Sequence, residues 1–380
     1  MARMVIECMN RIFDVLIKAI ADEDIGRIAN VKRHIVARGD KTLVIDFVKN
    51  AKIKKIPLPY FNGCIFTYKD IKYFLVAEDY SAAMQEIGFD EIIDIDENKN
   101  NELEIIQGCE MLAICENVLN LNHTYGSLEV IDECLGLEGE AGNVSFEFSE
   151  LMKFFENCSV FVIDDSRFHL QYEEDIYRLC CYCICDQSKN VNLQLKTSVK
   201  ELLLLESSRS ISASIINGLR SPLKEYSFLQ YYQCLEYLFR LNNSFDLQDK
   251  FSIGVTEAIG IVTDYDFRLS EQENLRRVIS SNISETDIDN YLVSVGENLD
   301  PNESKDKKCE HTSQSIYKIR CQIAHLRYGQ DTYLDTLNWD KQLAGIVGLV
   351  LAIYQRCGTR IEATCSSNDA WHNIDFSKNG

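Results

Sequence analysis

Residues 311–330 read HTSQSIYKIRCQIAHLRYGQ, and the rest of the chain is best understood outward from them. Ile316, Ile319, Ile323 and Leu326 recur at steps of three, four and three, the spacing of a helix with one apolar face. Arg320 and His325 fall off that stripe. The segment holds no Asp or Glu, yet it carries Lys318, Arg320, Arg327 and two histidines, with Lys305, Lys307 and Lys308 just before it. The whole chain of 380 residues has 39 Lys+Arg against 59 Asp+Glu, a formal charge of −20, so this is a local reversal of sign. A charge of that size argues against broad, sequence-independent duplex binding, which needs an extended basic face, but leaves room for a local nucleic-acid site. Arg320 and His325 lie about 140° apart around a helix and about 7.5 Å apart along it. A guanidinium holds phosphate through paired N–H bonds, and an imidazole moves a proton near neutral pH. Together they suit phosphodiester cleavage if a second copy of the helix completes the site.

Around this helix the second half reads as an α-helical bundle. Ser221-Pro222 predicts a helix start, serine as the cap and proline at the first helical position. The helix that follows carries Phe228, Tyr232, Leu235 and Phe239 on one face. Ser270 with Glu273 predicts a capping box, and a helix over Glu285–Val295 stops at Gly296. Residues 297–311, polar and containing a proline, read as a loop or mobile insertion. The closing helix, over 341–356, is apolar nearly all round and belongs inside a bundle.

These features together resemble a known family. Arg320-Cys321-Gln322-Ile323-Ala324-His325 fits the R-x4-6-H signature of the HEPN superfamily. The surrounding SIYKIRCQIAHLRYG is similar to the Y-x-I-R-N-x-I-x-H helix of its ApeA-like branch, found in bacterial anti-phage proteins. Upstream, FLQYYQCLEYLF (228–239) resembles that branch's aromatic helix, whose acidic residue falls here on Glu236. The resemblance covers roughly residues 222–357. It implies a bundle that dimerises and sets two R-x4-6-H helices across a shared cleft. It also implies a metal-independent endoribonuclease without cofactors, in which the 2′-hydroxyl attacks the adjacent phosphate. On that analogy His325 is the general acid or base, Arg320 binds the scissile phosphate, and Glu236 orients Arg320 or polarises the cleft. The acid-free stretch gives RNA a place to dock, with Lys318 and Arg327 as contacts. A plain i, i+4 pair with Arg240 is the alternative role for Glu236. Cys321 departs from the pattern, where a polar residue, commonly Asn, follows the arginine. That departure keeps a non-catalytic HEPN module, a dimerisation scaffold or partner subunit, as the second expectation.

The first half has a different rhythm. A helix is predicted over residues 4–21. Residues 42–48 (TLVIDFV) read as a strand, and 64–68 with 71–76 flank Lys69-Asp70 as a hairpin. A short helix over 82–87 stops at Gly88, 91–95 reads as a strand, and 98–101 is a polar break. A helix follows over 108–119, then strands over 160–163, 179–185 and 191–195. The expected class is α+β. A mixed α/β recognition or regulatory domain fills 1–205, a HEPN-like bundle 206–360, and a tail 361–380. A toxic RNase needs restraint, so a phage-derived or host protein trigger is expected to act on the first half.

Fifteen cysteines are present. The opening residues, MARMVIECMNRIFDV, carry charge within their apolar part and lack a small-residue cleavage site, so a cytoplasmic chain with reduced thiols is expected. Cys180 and Cys183 have the separation of zinc ligands, but no second pair follows. Cys181, Cys183 and Cys185 read as buried thiols on one strand face, and no metal site is expected. Gly136, Gly139 and Gly142, interleaved with Glu138 and Glu140, match no phosphate-binding loop. Asp164-Asp165 could hold magnesium at a strand end, yet no third ligand can be named, and a solvated turn is the commoner outcome. The longest apolar run, 344–354, is too short to cross a bilayer.

Overall fold

The computed structural model describes residues 5–20, 32–36, 40–56, 58, 61–77, 80–92, 102–121, 143–163, 173–187, 191–264, 270–297, 302–324 and 333–366. The chain is α+β and divides into two compact units, residues 1–168 and 169–380. The boundary expected near 205 thus lies earlier, because two segments read as strands are helices of the second unit.

The first unit runs α1 (Val5–Ile20), β1 (Lys32–Val36), α2 (Lys41–Asn50), β2 (Lys52–Lys55), β3 (Gly63–Tyr68), β4 (Ile71–Ala77), α3 (Ser81–Glu86), β5 (Asp90–Glu91), α4 (Glu102–Cys115), β6 (Asn143–Glu147), α5 (Phe148–Met152) and β7 (Cys158–Ile163). Five strands form an antiparallel sheet in the order β2-β3-β4-β7-β5, while β1 pairs with β6 in parallel. The predicted hairpin is present as β3–β4. Lys69 and Asp70 occupy φ 49° and 65°, the left-handed pair that a two-residue hairpin turn requires. Neither is glycine, and Asp46 on α2 secures them: the Tyr68 hydroxyl donates to its Oδ2, and Lys69 Nζ lies 3.2 Å from the same oxygen. These bonds hold the Asp46 carboxyl below its ordinary range.

TLVIDFV, expected as a strand, is helix α2. Asp40 caps it, Oδ1 accepting from the Thr42 N–H at 2.8 Å, and Val44, Phe47 and Val48 form its buried face. Phe47 packs its ring against Phe66, Tyr68 and Tyr73, with centroids 6.1, 4.8 and 6.0 Å away. The ring also lies on Gly108 of α4, where an added Cβ would come within 2.5 Å of it. Aromatic burial against the sheet thus overrides the strand propensity of the β-branched residues.

The second unit runs α6 (Glu173–Gln187), α7 (Leu193–Leu204), a 3-10 turn (Glu206–Ile211), α8 (Ser212–Arg220), α9 (Lys224–Phe251), α10 (Val255–Asp264), α11 (Glu271–Asn282), α12 (Glu285–Val295), α13 (Lys305–Ala324), a second 3-10 turn (Tyr333–Thr336) and α14 (Trp339–Ser366). LCCYCIC and the residues after it are therefore helical, not strands. Cys180, Cys181, Cys183 and Cys185 are all buried on α6, and burial raises the first three thiols above their ordinary range. A short apolar run buried all round carries no periodicity, so strand and helix read alike. Arg178, buried on the same helix, pairs with Asp175 at 2.9 Å and donates to the carbonyls of Leu203 and Leu205, tying α6 to the end of α7.

Three further boundaries differ from expectation. Helix α9 begins two residues after Pro222, with Leu223 as its cap; Ser221 Oγ instead accepts from the Leu223 N–H at 3.1 Å. Ser270 does cap α11, accepting from the Glu273 N–H at 3.2 Å, but the Glu273 side chain turns to Arg276 and Arg277. Residues 305–311 are the first turns of α13 rather than loop, and α14 continues through the first residues assigned to the tail. Asp164, Asp165, the three glycines at 136, 139 and 142, and residues 93–101, 298–301 and 367–380 lie outside the described residues. Among the described residues no helix is long and apolar enough to cross a membrane.

Candidate functional site

Three helices of the second unit converge on Arg320. Tyr232 and Glu236, one turn apart on α9, face it together. Glu271 is the first residue of α11, placed there by the Ser270 cap, and α13 brings Tyr317, Arg320 and Cys321. Arg320 Nε lies 2.7 Å from Glu271 Oε1, and its Nη2 lies 3.8 Å from Glu236 Oε1. Both are ion pairs, and the first is the closer. Glu271 Oε1 also accepts from the Tyr232 hydroxyl at 2.8 Å. The side chains of Arg320, Glu236 and Glu271 are 27%, 35% and 26% exposed, so solvent reaches the cluster.

One cation stands between two carboxylates, and the electrostatics follow. Burial and the Glu271 carboxylate push Glu236 up to about 7, with Arg320 opposing. Burial and Glu271 likewise raise the Tyr232 phenol. Partial burial works against the charge of Arg320, but Glu271 and Glu236 outweigh it and raise its pKa. The side chain of Cys321, one turn away on α13, and partial burial raise the Tyr317 phenol.

Of the residues singled out from the sequence, Arg320 and Glu236 are brought together, and the ion pair described for Glu236 is with Arg320. Lys318 stands apart. Two positions earlier on α13, about 200° around the helix, it holds its ammonium over the Tyr333 ring at 3.9 Å from the centroid. His325 and Arg327 lie outside the described residues. Two lysines of the basic run before them are engaged within the bundle. Lys308 bonds Glu285 and Asp289, and Lys305 Nζ donates to the Ser280 carbonyl at 3.2 Å. The residue that sequence reading missed is Glu271. An acid in the first turn of a helix reads as a partner of the helix dipole, and only folding shows that it also meets Arg320. Among the described residues no group of three or more His, Cys, Asp or Glu side chains is disposed to hold a metal ion.

The fold and cluster define an α+β protein whose helical unit presents a part-exposed arginine contested by carboxylates from two other helices. No protein-family model matches this chain, and no curated protein or solved structure is significantly similar to it.

Proposed function

We propose that this chain is a metal-independent endoribonuclease of the HEPN type, acting in the cytoplasm as a homodimer and serving as a regulated toxin or anti-phage effector. The observation that carries the reading is the seat of Arg320 on the helix whose sequence continues into His325: off the apolar stripe, open to solvent, and paired with carboxylates from two other helices. In this mechanism the 2′-hydroxyl of RNA attacks the neighbouring phosphorus and expels the 5′-oxygen of the next nucleotide. Arg320 stabilises the charge that develops on the phosphate oxygens, and His325 moves a proton to or from the reacting oxygens. The products are a 2′,3′-cyclic phosphate and a 5′-hydroxyl end. A protein trigger acting on the first unit releases the activity, and the two R-x4-H helices meet across the dimer axis.

The test is cleavage of a labelled RNA by the full chain, with candidate triggers supplied. Cyclic-phosphate ends, indifference to EDTA and loss of cleavage in Arg320→Ala and His325→Ala are expected. Cleavage that survives His325→Ala, or that needs added magnesium, overturns the mechanism. A second reading, a non-catalytic HEPN scaffold, is favoured by one observation: Glu271 is already paired with the Arg320 guanidinium that a phosphate needs. A triggered protein that binds RNA without cutting it supports the scaffold.

A further inference from the structure

Glu271 stands where a phosphate would stand. Its Oε1 lies 2.7 Å from Arg320 Nε as an ion pair and accepts from the Tyr232 hydroxyl at 2.8 Å. Glu236 adds a second carboxylate at 3.8 Å. With both acids ionised the cluster is net negative, so an incoming phosphate meets repulsion and a carboxylate already seated against the guanidinium. The geometry also lets the obstacle leave. Glu271 is the first residue of α11, one position after its cap, and its side chain takes no part in the helix's own ladder. Its side chain is 26% exposed and can swing to water while Ser270 keeps the helix start in place.

From this arrangement we infer that Glu271 is an internal competitor for Arg320. It is a latch, set by Tyr232, that holds the arginine away from RNA phosphate until binding or a trigger displaces it. The inference rests on the proposed role of Arg320 as the phosphate-binding residue. It assigns Glu271 to regulation of that site, whereas a positioning role would make Glu271 necessary for binding.

The two roles predict opposite signs. Affinity of the full chain for a single-stranded 2′-O-methyl RNA, which cannot be cleaved, separates them by fluorescence anisotropy. Glu271→Gln keeps an acceptor for Tyr232 and removes the charge, and it should bind about 10-fold more tightly than the unaltered chain. Tyr232→Phe, which leaves Glu271 in place but frees its oxygen, should move affinity the same way by less, and it tests the latch if Glu271→Gln does not fold. The gain must pass through Arg320, so Arg320→Ala with Glu271→Gln should bind no better than Arg320→Ala alone. Glu285→Gln, which removes an equal charge elsewhere on the unit, should change little. Unchanged or weaker binding by Glu271→Gln, alongside weakened binding by Arg320→Ala, overturns the latch and leaves the functional reading standing. A gain that persists without Arg320 is mere charge relief and also overturns the latch. Failure of every variant to bind the RNA overturns the functional reading, and the latch falls with it.

Discussion

Helix α13 carries a cation between two carboxylates at each end, and the two sites behave differently. Near its start, Lys308 is only 4% exposed; it donates to Glu285 at 3.0 Å and forms an ion pair with Asp289 at 2.8 Å, both acids from α12 and one turn apart. Near its end, Arg320 is 27% exposed and is shared by Glu271 of α11 and Glu236 of α9. At Lys308 both acids belong to one rigid element and both reach bonding distance. At Arg320 the acids come from different elements, only one reaches bonding distance, and the other is pushed up toward neutrality. The first arrangement fastens helices together; the second leaves a guanidinium that a ligand can compete for. Cation-plus-two-acids composition is thus no guide to role, while exposure and the origin of the acids are.

The comparison breaks most visibly in activity. Arg320→Ala should lower RNA cleavage by roughly 10²–10³-fold, measured on a triggered sample, because the developing phosphate charge loses its partner. Lys308→Met should leave cleavage unchanged. If Lys308→Met abolishes cleavage in a folded protein, the division between a fastening end and a working end of α13 fails.

Stability should show the reverse. Lys308→Met leaves two acids facing a buried site, and thermal unfolding should begin several degrees lower, whereas Arg320→Met should shift the transition far less. Equal shifts in a calorimetric scan would mean that both clusters fasten the bundle.

A smaller effect is expected in the pH dependence. Glu236 titrates at about 7 in the fold against the ordinary value of 4.5, so its contribution to stability is fully present below about 4.5 and is lost as pH rises through about 7. The side chain is 35% exposed, which cuts the expected loss between pH 5 and 8 to about 1 kcal/mol. Glu236→Gln should flatten that segment of the stability profile in denaturant melts. Glu273, lowered to about 2 by hydrogen bonds from Arg276, by Arg277 and by their charges, contributes with the opposite sign, its stabilisation fully present above about 4.5 and lost as pH falls through about 2. The smallest change belongs to Glu285→Gln. Its side chain is 55% exposed and Asp289 still satisfies Lys308, so a shift below about 0.5 kcal/mol is expected.

The features read correctly from the sequence depend on neighbours in the chain. The β3–β4 hairpin follows from aromatic and β-branched runs on either side of Lys69-Asp70, and the end of α12 from Gly296. Ser284 and Asp287 form a full capping box there, and Gly296 closes the helix at φ 88°. These signals act over a few residues, so no distant contact has to be known. Arg320 and Glu236 could be named together only through the family resemblance, since 84 positions separate them.

Tertiary packing decided the rest. Whether TLVIDFV is strand or helix turns on Asp40 at its start and on Phe47 settling against β3, β4 and Gly108. Whether LCCYCIC is strand or helix turns on Arg178 reaching the carbonyls that end α7. Glu271 meets Arg320 across 49 positions, and Lys308 meets Glu285 across 23, distances over which chain-local patterns carry no information. Apolar spacing tells a helix which face to bury. The burial and pairing of a charge depend on which other helix arrives opposite, and that is set only when the helices pack.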